Sequence, residues 1–203
     1  MRGKLITLEG IDGSGKSTVL ERLKAHPAMS RVVFTREPTT CWIGEAVEHA
    51  IHSDTDHLAE LFLFTADHAE HISKVIQPAL EDGKTMISDR YSDSRYAYQG
   101  VTLGDRFDDP IKWIQSIHSG WTIVPDKTIL FDIDPKIAVG RCGNRGEQTK
   151  FEKIGFLERV RANYLRLAEE DPGRFMIVDT DRPIEKIEAD VVELLTSVVQ
   201  ALY

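Results

Sequence analysis

The chain has 203 residues, enough for one domain with a substantial buried core. At 41% hydrophobic and 29% charged it has the balance of an ordinary soluble globular protein. Its net charge of −8 argues against a duplex-binding surface or an anionic-membrane footprint, since both need a basic face, but leaves room for a small polyanion in a locally basic cleft. No apolar run approaches the roughly 20 residues that span a bilayer, and the N-terminus lacks a basic, apolar, small-residue leader pattern. Cys41 and Cys142 sit far apart with no metal-type spacing, so the expected compartment is the reducing cytoplasm.

The first β-rich run covers residues 4–8 and feeds directly into Gly10-Ile11-Asp12-Gly13-Ser14-Gly15-Lys16-Ser17, which opens a helical pattern over 16–25. Strand, glycine loop and helix are the context that a G-x4-G-K-S phosphate loop requires. Small residues at Gly10, Gly13, Ser14 and Gly15 let successive N–H groups converge on phosphate oxygens, and the helix N-terminus behind them, with Thr18 in its first turn, adds partial positive charge. Lys16 can reach the outer phosphates and the Ser17 hydroxyl can ligate Mg²⁺. The implied ligand is a nucleoside triphosphate.

Further β-rich runs follow at 31–35, 84–88, 127–133 and 174–178, separated by helical patterns at 42–52, 56–82, 93–99, 108–119, 135–142, 152–170 and 184–199. This alternation predicts an α/β fold with a five-stranded parallel sheet covered by helices on both faces. Polar residues follow each run: Glu9-Gly10, Arg36-Glu37, Asp89-Arg90, Asp134 and Asp179. Ligands of open parallel sheets bind at that edge. Asp134 before Pro135 reads as a helix N-cap. In the long helix, Leu58, Leu61, Phe62, Thr65, Ala69, Ile72 and Ile76 form the expected core-facing stripe, with Phe64, His68 and His71 offset toward another environment and Pro78 bending or ending a turn. The histidines, lacking cysteine or carboxylate partners at metal spacing, read as surface or hydrogen-bonded groups.

The segment Asp89-Arg90-Tyr91-Ser92-Asp93-Ser94-Arg95-Tyr96-Ala97-Tyr98-Gln99-Gly100 leaves a buried strand through an arginine suited to clamp a phosphate. Asp89 either orients that arginine or binds Mg²⁺ through water. Asp-Arg-Tyr followed by Ser-x-x-x-Ala-Tyr-Gln-Gly, with Thr35-Arg36-Glu37-Pro38 and Leu63-Phe64-Thr65-Ala66-Asp67 upstream, resembles the thymidylate kinases in this order along most of the chain. The resemblance implies a three-layer P-loop kinase fold, a single domain over 1–203 with a lid at about 141–150, a homodimer built partly on the long helix, and transfer of the ATP γ-phosphoryl group to dTMP. It also implies that Phe64 stacks on thymine, Arg90 holds the acceptor phosphate, and Ser94 and Gln99 help read the base edge. Tyr98 would lie beneath the deoxyribose, Asp12 near the sugar 3′-hydroxyl and metal, and Glu37 in the acceptor loop. The lid would supply Arg141 and Arg145 to the transferring group, and Glu152 aligns with a carboxylate near acceptor and metal.

Two positions depart from the family pattern. His68 stands where an arginine usually meets the base, and Arg95 where small or amide residues are common. Either Arg95 supplies the guanidinium that His68 cannot, or the base preference is altered, for example toward dUMP. Thr39-Thr40 replaces a pair of glycines, predicting a stiffer acceptor loop. A nucleotide-dependent switch is the alternative from another class, but no Asn-Lys-x-Asp guanine reader is present.

Overall fold

The β-rich runs become β1 (Leu5–Gly10), β2 (Val33–Arg36), β3 (Met86–Asp89), β4 (Lys127–Asp132) and β5 (Phe175–Asp179) in a computed structural model that describes residues 2–142 and 150–200. They form one parallel sheet in the order β2-β3-β1-β4-β5. Leu8 is level with Asp89 of β3 on one side and Ile129 of β4 on the other. β1 is therefore central, and the chain winds outward from it in both directions, which opens a crevice at the carboxyl ends of β1, β3 and β4.

Two helical layers close over the sheet. On one face Ile6, Leu8, Ile129 and Phe131 pack with Val19 and Leu23 of α1 (Lys16–Ala25) and Val191 and Leu195 of α9 (Ile184–Gln200). On the other, Leu130 packs with Tyr96 of α5 (Ser92–Thr102), Ile114 of α6 (Pro110–His118) and Val160 and Tyr164 of α8 (Lys150–Glu170). Fully burying each such side chain contributes about 1.5–3 kcal/mol. The remaining helices are α2 (Trp42–Ile51), α3 (His57–His71), α4 (Gln77–Glu81) and α7 (Pro135–Cys142). As the sequence predicts, Asp134 accepts from the Lys136 N–H at 2.7 Å and Pro135 opens α7. No helix among the described residues is long and apolar enough to cross a membrane.

The helix expected over 56–82 differs in two ways. A π-helical turn at Ile72–Ile76 divides it into α3 and α4, with the Gln77 N–H bonded to the Ile72 carbonyl. Pro78 has no N–H to continue the regular ladder, and the wider turn absorbs that gap. Its inward face is also rotated from the expected stripe. Phe62 and Ala69 are exposed, whereas Asp67, His68 and His71 are buried. The reason is polar: Asp67 accepts from the Thr39 N–H at 2.8 Å and its Oγ1 at 2.5 Å, and both histidines turn inward to Glu37.

Asp93 ties the layers together. It is fully buried and accepts from Arg174 Nη1 at 2.6 Å, Arg174 Nη2 at 3.1 Å and Thr128 Oγ1 at 3.1 Å. Asp93→Ala leaves the largely buried Arg174 guanidinium with only the half-exposed Asp171, at 3.0 Å, as its counter-charge, and the expected cost is about 2–4 kcal/mol. It is read as a lower urea midpoint with an unchanged m-value; a midpoint equal to wild type refutes the assignment.

Candidate functional site

Two cavities lie at the carboxyl edge of the sheet. The first, of about 300 Å³, is lined by residues 11–18 together with Arg90 and Arg141. Its floor is the loop between β1 and α1. Gly15 caps α1 in a left-handed conformation (φ 86°) and the helix start has no side-chain cap, so its first N–H groups are left for a ligand. Gly13 also has positive φ, and a Cβ there would meet the Ala138 carbonyl at 2.4 Å, so the loop lies directly against α7. Lys16 is buried and paired with Asp89; burial lowers its pKa, with Arg90 acting in the same direction and Asp89 opposing. Ser17 and Thr18 are exposed at the cavity, and the buried Ser14 Oγ has no partner among the described residues.

The second cavity, about 330 Å³, is lined by Glu37, Phe64, Ser94, Arg95, Tyr98 and Gln99 among others, and shares Asp12 and Arg90 with the first. Arg90 follows β3 with φ of 67°, a left-handed conformation that costs a non-glycine residue about 1–3 kcal/mol. Its surroundings hold it there: its N–H donates to Leu8 O at 3.0 Å, Nη1 to Gly10 O at 3.1 Å and Ser94 Oγ at 3.2 Å, and Nη2 to Asp12 Oδ1 at 2.6 Å. The guanidinium also sits 5.1 Å over the Tyr98 ring. Asp12 is otherwise open to solvent, and its N–H donates to the Tyr98 hydroxyl at 3.1 Å.

Beneath Arg90 lies Glu9, wholly buried at the end of β1. It accepts from the Tyr91 N–H at 2.8 Å, Ser94 Oγ at 2.6 Å and Tyr164 Oη at 2.9 Å. Burial, with Asp93 nearby, pushes its pKa up to about 7. The sequence reading noted Glu9 only as a polar residue closing a strand. The overlooked signal was a carboxylate at the last apolar-flanked position before a glycine loop.

Glu37 closes the far wall. Its Oε1 accepts from Nδ1 of both His68 and His71 at 2.8 Å, and its Oε2 from Arg95 Nη1 at 2.7 Å. Burial alone would raise the Glu37 carboxyl, but His68 and Arg95 hold it well below the usual carboxylate range. Burial and Arg95 press His68 down to about 4, so it is neutral near pH 7. His68 is not among the cavity-lining side chains; it lies behind the wall, edge-on to Tyr91. Phe64, Ser94, Arg95, Tyr98 and Gln99 do line the cavity, but Ser94 Oγ already donates to Glu9. Arg141 lines the first cavity and donates to Thr180 O at 3.1 Å. Arg145 and the Glu152 side chain lie outside the described residues. Sequence reasoning missed Glu60, Tyr91 and Tyr164, whose contacts come from remote segments.

The sequence profile of the thymidylate kinase family matches residues 8–191. The chain is 66% identical over 201 residues to a probable thymidylate kinase of Methanococcoides burtonii, covering 99% of this chain and 100% of that one. It is 63% identical over 205 residues to a probable thymidylate kinase of Methanosarcina mazei, covering all of both. The crystal structure of thymidylate kinase from Ehrlichia chaffeensis superposes with a TM-score of 0.72 at 30% identity, covering 96% of this chain and 99% of that one.

Glu9 gives the site a measurable signature. Its folded pKa is raised, so the native state binds the proton more tightly than the unfolded chain. That stabilisation is complete below the unfolded carboxylate value near 4.5 and is lost as pH climbs through about 7. Glu9→Gln is expected to remove this slope. Urea midpoints of the two proteins between pH 5 and 8 check it, and parallel curves count against a raised Glu9 pKa.

Proposed function

The chain belongs to the thymidylate kinase family, and from that premise we propose that it transfers the γ-phosphoryl group of ATP to dTMP, giving ADP and dTDP. The observation that carries the reading is the meeting of two cavities at Arg90 and Asp12, one floored by a phosphate loop and the other walled by aromatic and amide side chains. Donor phosphates in the first and a nucleoside monophosphate in the second would face each other across one guanidinium.

In that arrangement an oxygen of the acceptor phosphate attacks the γ-phosphorus. The bond from the γ-phosphorus to the β,γ-bridging oxygen breaks, and its electron pair leaves with ADP. The acceptor's second pKa is about 6, so it is largely ionised and no strong general base is needed. The barrier is repulsion between phosphates together with alignment, which fixed cations and a fixed scaffold address. Lys16 and the loop N–H groups take the donor phosphates, and Arg90 takes the acceptor phosphate. Asp12 fixes Arg90 and meets the sugar 3′-hydroxyl. Phe64 stacks on the base, Tyr98 lies under the deoxyribose, and Ser94 and Gln99 face the base edge. His68 acts from behind, through Glu37, rather than on the base.

Ser17 and Asp89 offer hydroxyl and carboxylate oxygens beside the phosphate loop, a donor set that suits Mg²⁺, with Glu152 a further candidate. Bound there, the ion neutralises charge on the donor phosphates. By the family resemblance, Arg141, and Arg145 outside the described residues, would supply charge to the transferring group from a lid at 141–150, and closure of such a lid would exclude water. A homodimer on α2 and α3 would cover the exposed Trp42 and Phe62. The cytoplasm is the compartment that fits this substrate pair.

A panel of 5′-monophosphates with Mg-ATP tests the function: diphosphate is expected from dTMP, and none from any monophosphate rejects it. Arg90→Ala is expected to lower kcat/KM for dTMP about a hundred- to a thousandfold. Asp12→Asn should raise the dTMP KM and shift the Mg²⁺ dependence of the rate; both unchanged would remove Asp12 from its assigned role.

A further inference from the structure

The loop between β2 and α2 carries Glu37 and Pro38 into the wall of the second cavity, and the residues that follow are tied down outside it. Asp67 of α3 is only 1% exposed and is not a cavity-lining residue. It accepts from the Thr39 N–H at 2.8 Å and from the Thr39 hydroxyl at 2.5 Å, so both donors of one residue end on one carboxylate. The Cys41 N–H, at the start of α2, donates to Thr39 Oγ1 at 3.3 Å, and the Cys41 thiol reaches the same carboxylate at 3.6 Å. No cation pairs with Asp67 among the described residues, so its buried charge is answered by this loop alone. α2 lies hard against the loop as well: a Cβ at Gly44 would stand 1.9 Å from the Thr39 carbonyl oxygen. Arg90 is the one non-glycine residue at positive φ among the described residues, so the loop has no conformational need for the glycines that Thr39 and Thr40 replace. Two threonines narrow the backbone freedom that two glycines would keep, and Thr39 adds the hydroxyl that Asp67 binds.

We propose that Thr39 and Asp67 are positioning residues for the acceptor nucleotide: their clamp keeps Glu37 and Pro38 in the cavity wall, so that the nucleotide enters a formed compartment instead of ordering a loop as it binds. The inference rests on the nucleotide-acceptor reading above. Thr39, Cys41 and Asp67 all lie outside the cavity lining, so a ligand in the cavity neither makes nor breaks their bonds. Ordering a loop during binding subtracts from affinity, and a loop already fixed avoids that loss. The same wall serves the ground state and the transition state. The clamp therefore acts on the acceptor KM and leaves kcat nearly alone, the pattern of uniform binding. The donor phosphates meet the other cavity, which shares neither Glu37 nor Pro38, so the ATP KM is outside the reach of the clamp.

The test measures kcat and both KM values, for dTMP and for ATP, in wild type, Thr39→Gly, Thr39→Ser and Asp67→Ala. Thr39→Gly removes the hydroxyl and loosens the backbone at a half-buried loop position, so it carries the test even where Asp67→Ala folds poorly. It is expected to raise the dTMP KM about tenfold or more, with kcat and the ATP KM within about twofold of wild type. Asp67→Ala should act in the same direction. Thr39→Ser keeps the hydroxyl and should restore a dTMP KM close to that of wild type. A dTMP KM within about threefold of wild type in Thr39→Gly overturns the proposal. So does a rise shared equally by the ATP KM, or a fall in kcat with the dTMP KM unmoved, since either assigns the clamp to general stability. Hydrogen exchange in wild type without nucleotide reads the clamp apart from catalysis. The Thr39 amide is expected to exchange about a hundredfold or more slower than in an unstructured peptide; exchange at the unstructured rate sinks the clamp while leaving the kinase reading intact. Wild type that phosphorylates no monophosphate sinks that reading, and the positioning role with it, whatever the exchange rate.

Discussion

The carboxylate of Glu37 is the constraint on which the acceptor side of this structure depends. It is buried, and it is answered by three donors from two helices, His68 and His71 of α3 and Arg95 of α5. Any one of them removed would leave a charge inside the protein short of a partner, so the residues are required together. A buried ion pair is seldom the most stabilising content for such a volume, since hydrophobic residues of similar size would serve as well. What it supplies is geometry: the loop after β2 is fixed against α3 and α5, and the cavity walls keep their spacing. The polar inward face of α3 follows directly. Once Glu37 and Thr39 lie beneath the helix, Asp67, His68 and His71 must face inward, and Phe62 and Ala69 are turned out.

A second constraint holds the place where the cavities join. Arg90 occupies a backbone region unfavourable to arginine, yet its N–H and both terminal guanidinium nitrogens are engaged. Glu9 supports this from below by gathering Tyr91, Ser94 and Tyr164, from α8 as well as the segment after β3. The strain is therefore sustained by contacts from several elements rather than by any one of them. Its result is a guanidinium aimed between two compartments instead of into either.

Much of this was legible in the sequence, and the division between what was and what was not is physical. The phosphate loop is local: strand, glycines and helix start lie within a dozen residues, and each imposes a recognisable residue type. The strands and their order of alternation with helices are also local patterns, and the charged residues at the strand ends pointed to the right edge of the sheet. Tertiary pairing was not local. Helical spacing placed Phe62 and Ala69 inward because apolar periodicity is normally a guide to burial. It could not foresee a carboxylate, supplied some thirty positions earlier by β2's outgoing loop, that would draw histidines to the interior. His68 was likewise expected at the base edge, yet its Nδ1 is committed to Glu37. Glu9 and Glu60 were missed for the same reason: a carboxylate has no periodic signature of its role, only partners.

The cations of the site share a further property. Lys16 is paired with Asp89, Arg90 with Asp12, and Arg141 with the Thr180 carbonyl and, at 3.8 Å, Asp181. Left without such acceptors, cations this close would disfavour one another, as the influence of Arg90 on Lys16 indicates. Acceptors supplied by the protein, carboxylates and a backbone carbonyl, thus hold the cations in register, so on the proposed reading reorganisation on phosphate binding would be small. On the proposed reading, phosphate binding would be an exchange of one anionic partner for another, its net strength the difference between the two rather than the full attraction of a bare cation. It also reconciles an acidic chain with a polyanionic ligand: the net charge of −8 describes the whole surface, whereas the field a phosphate meets is set by a few fixed cations at the sheet edge.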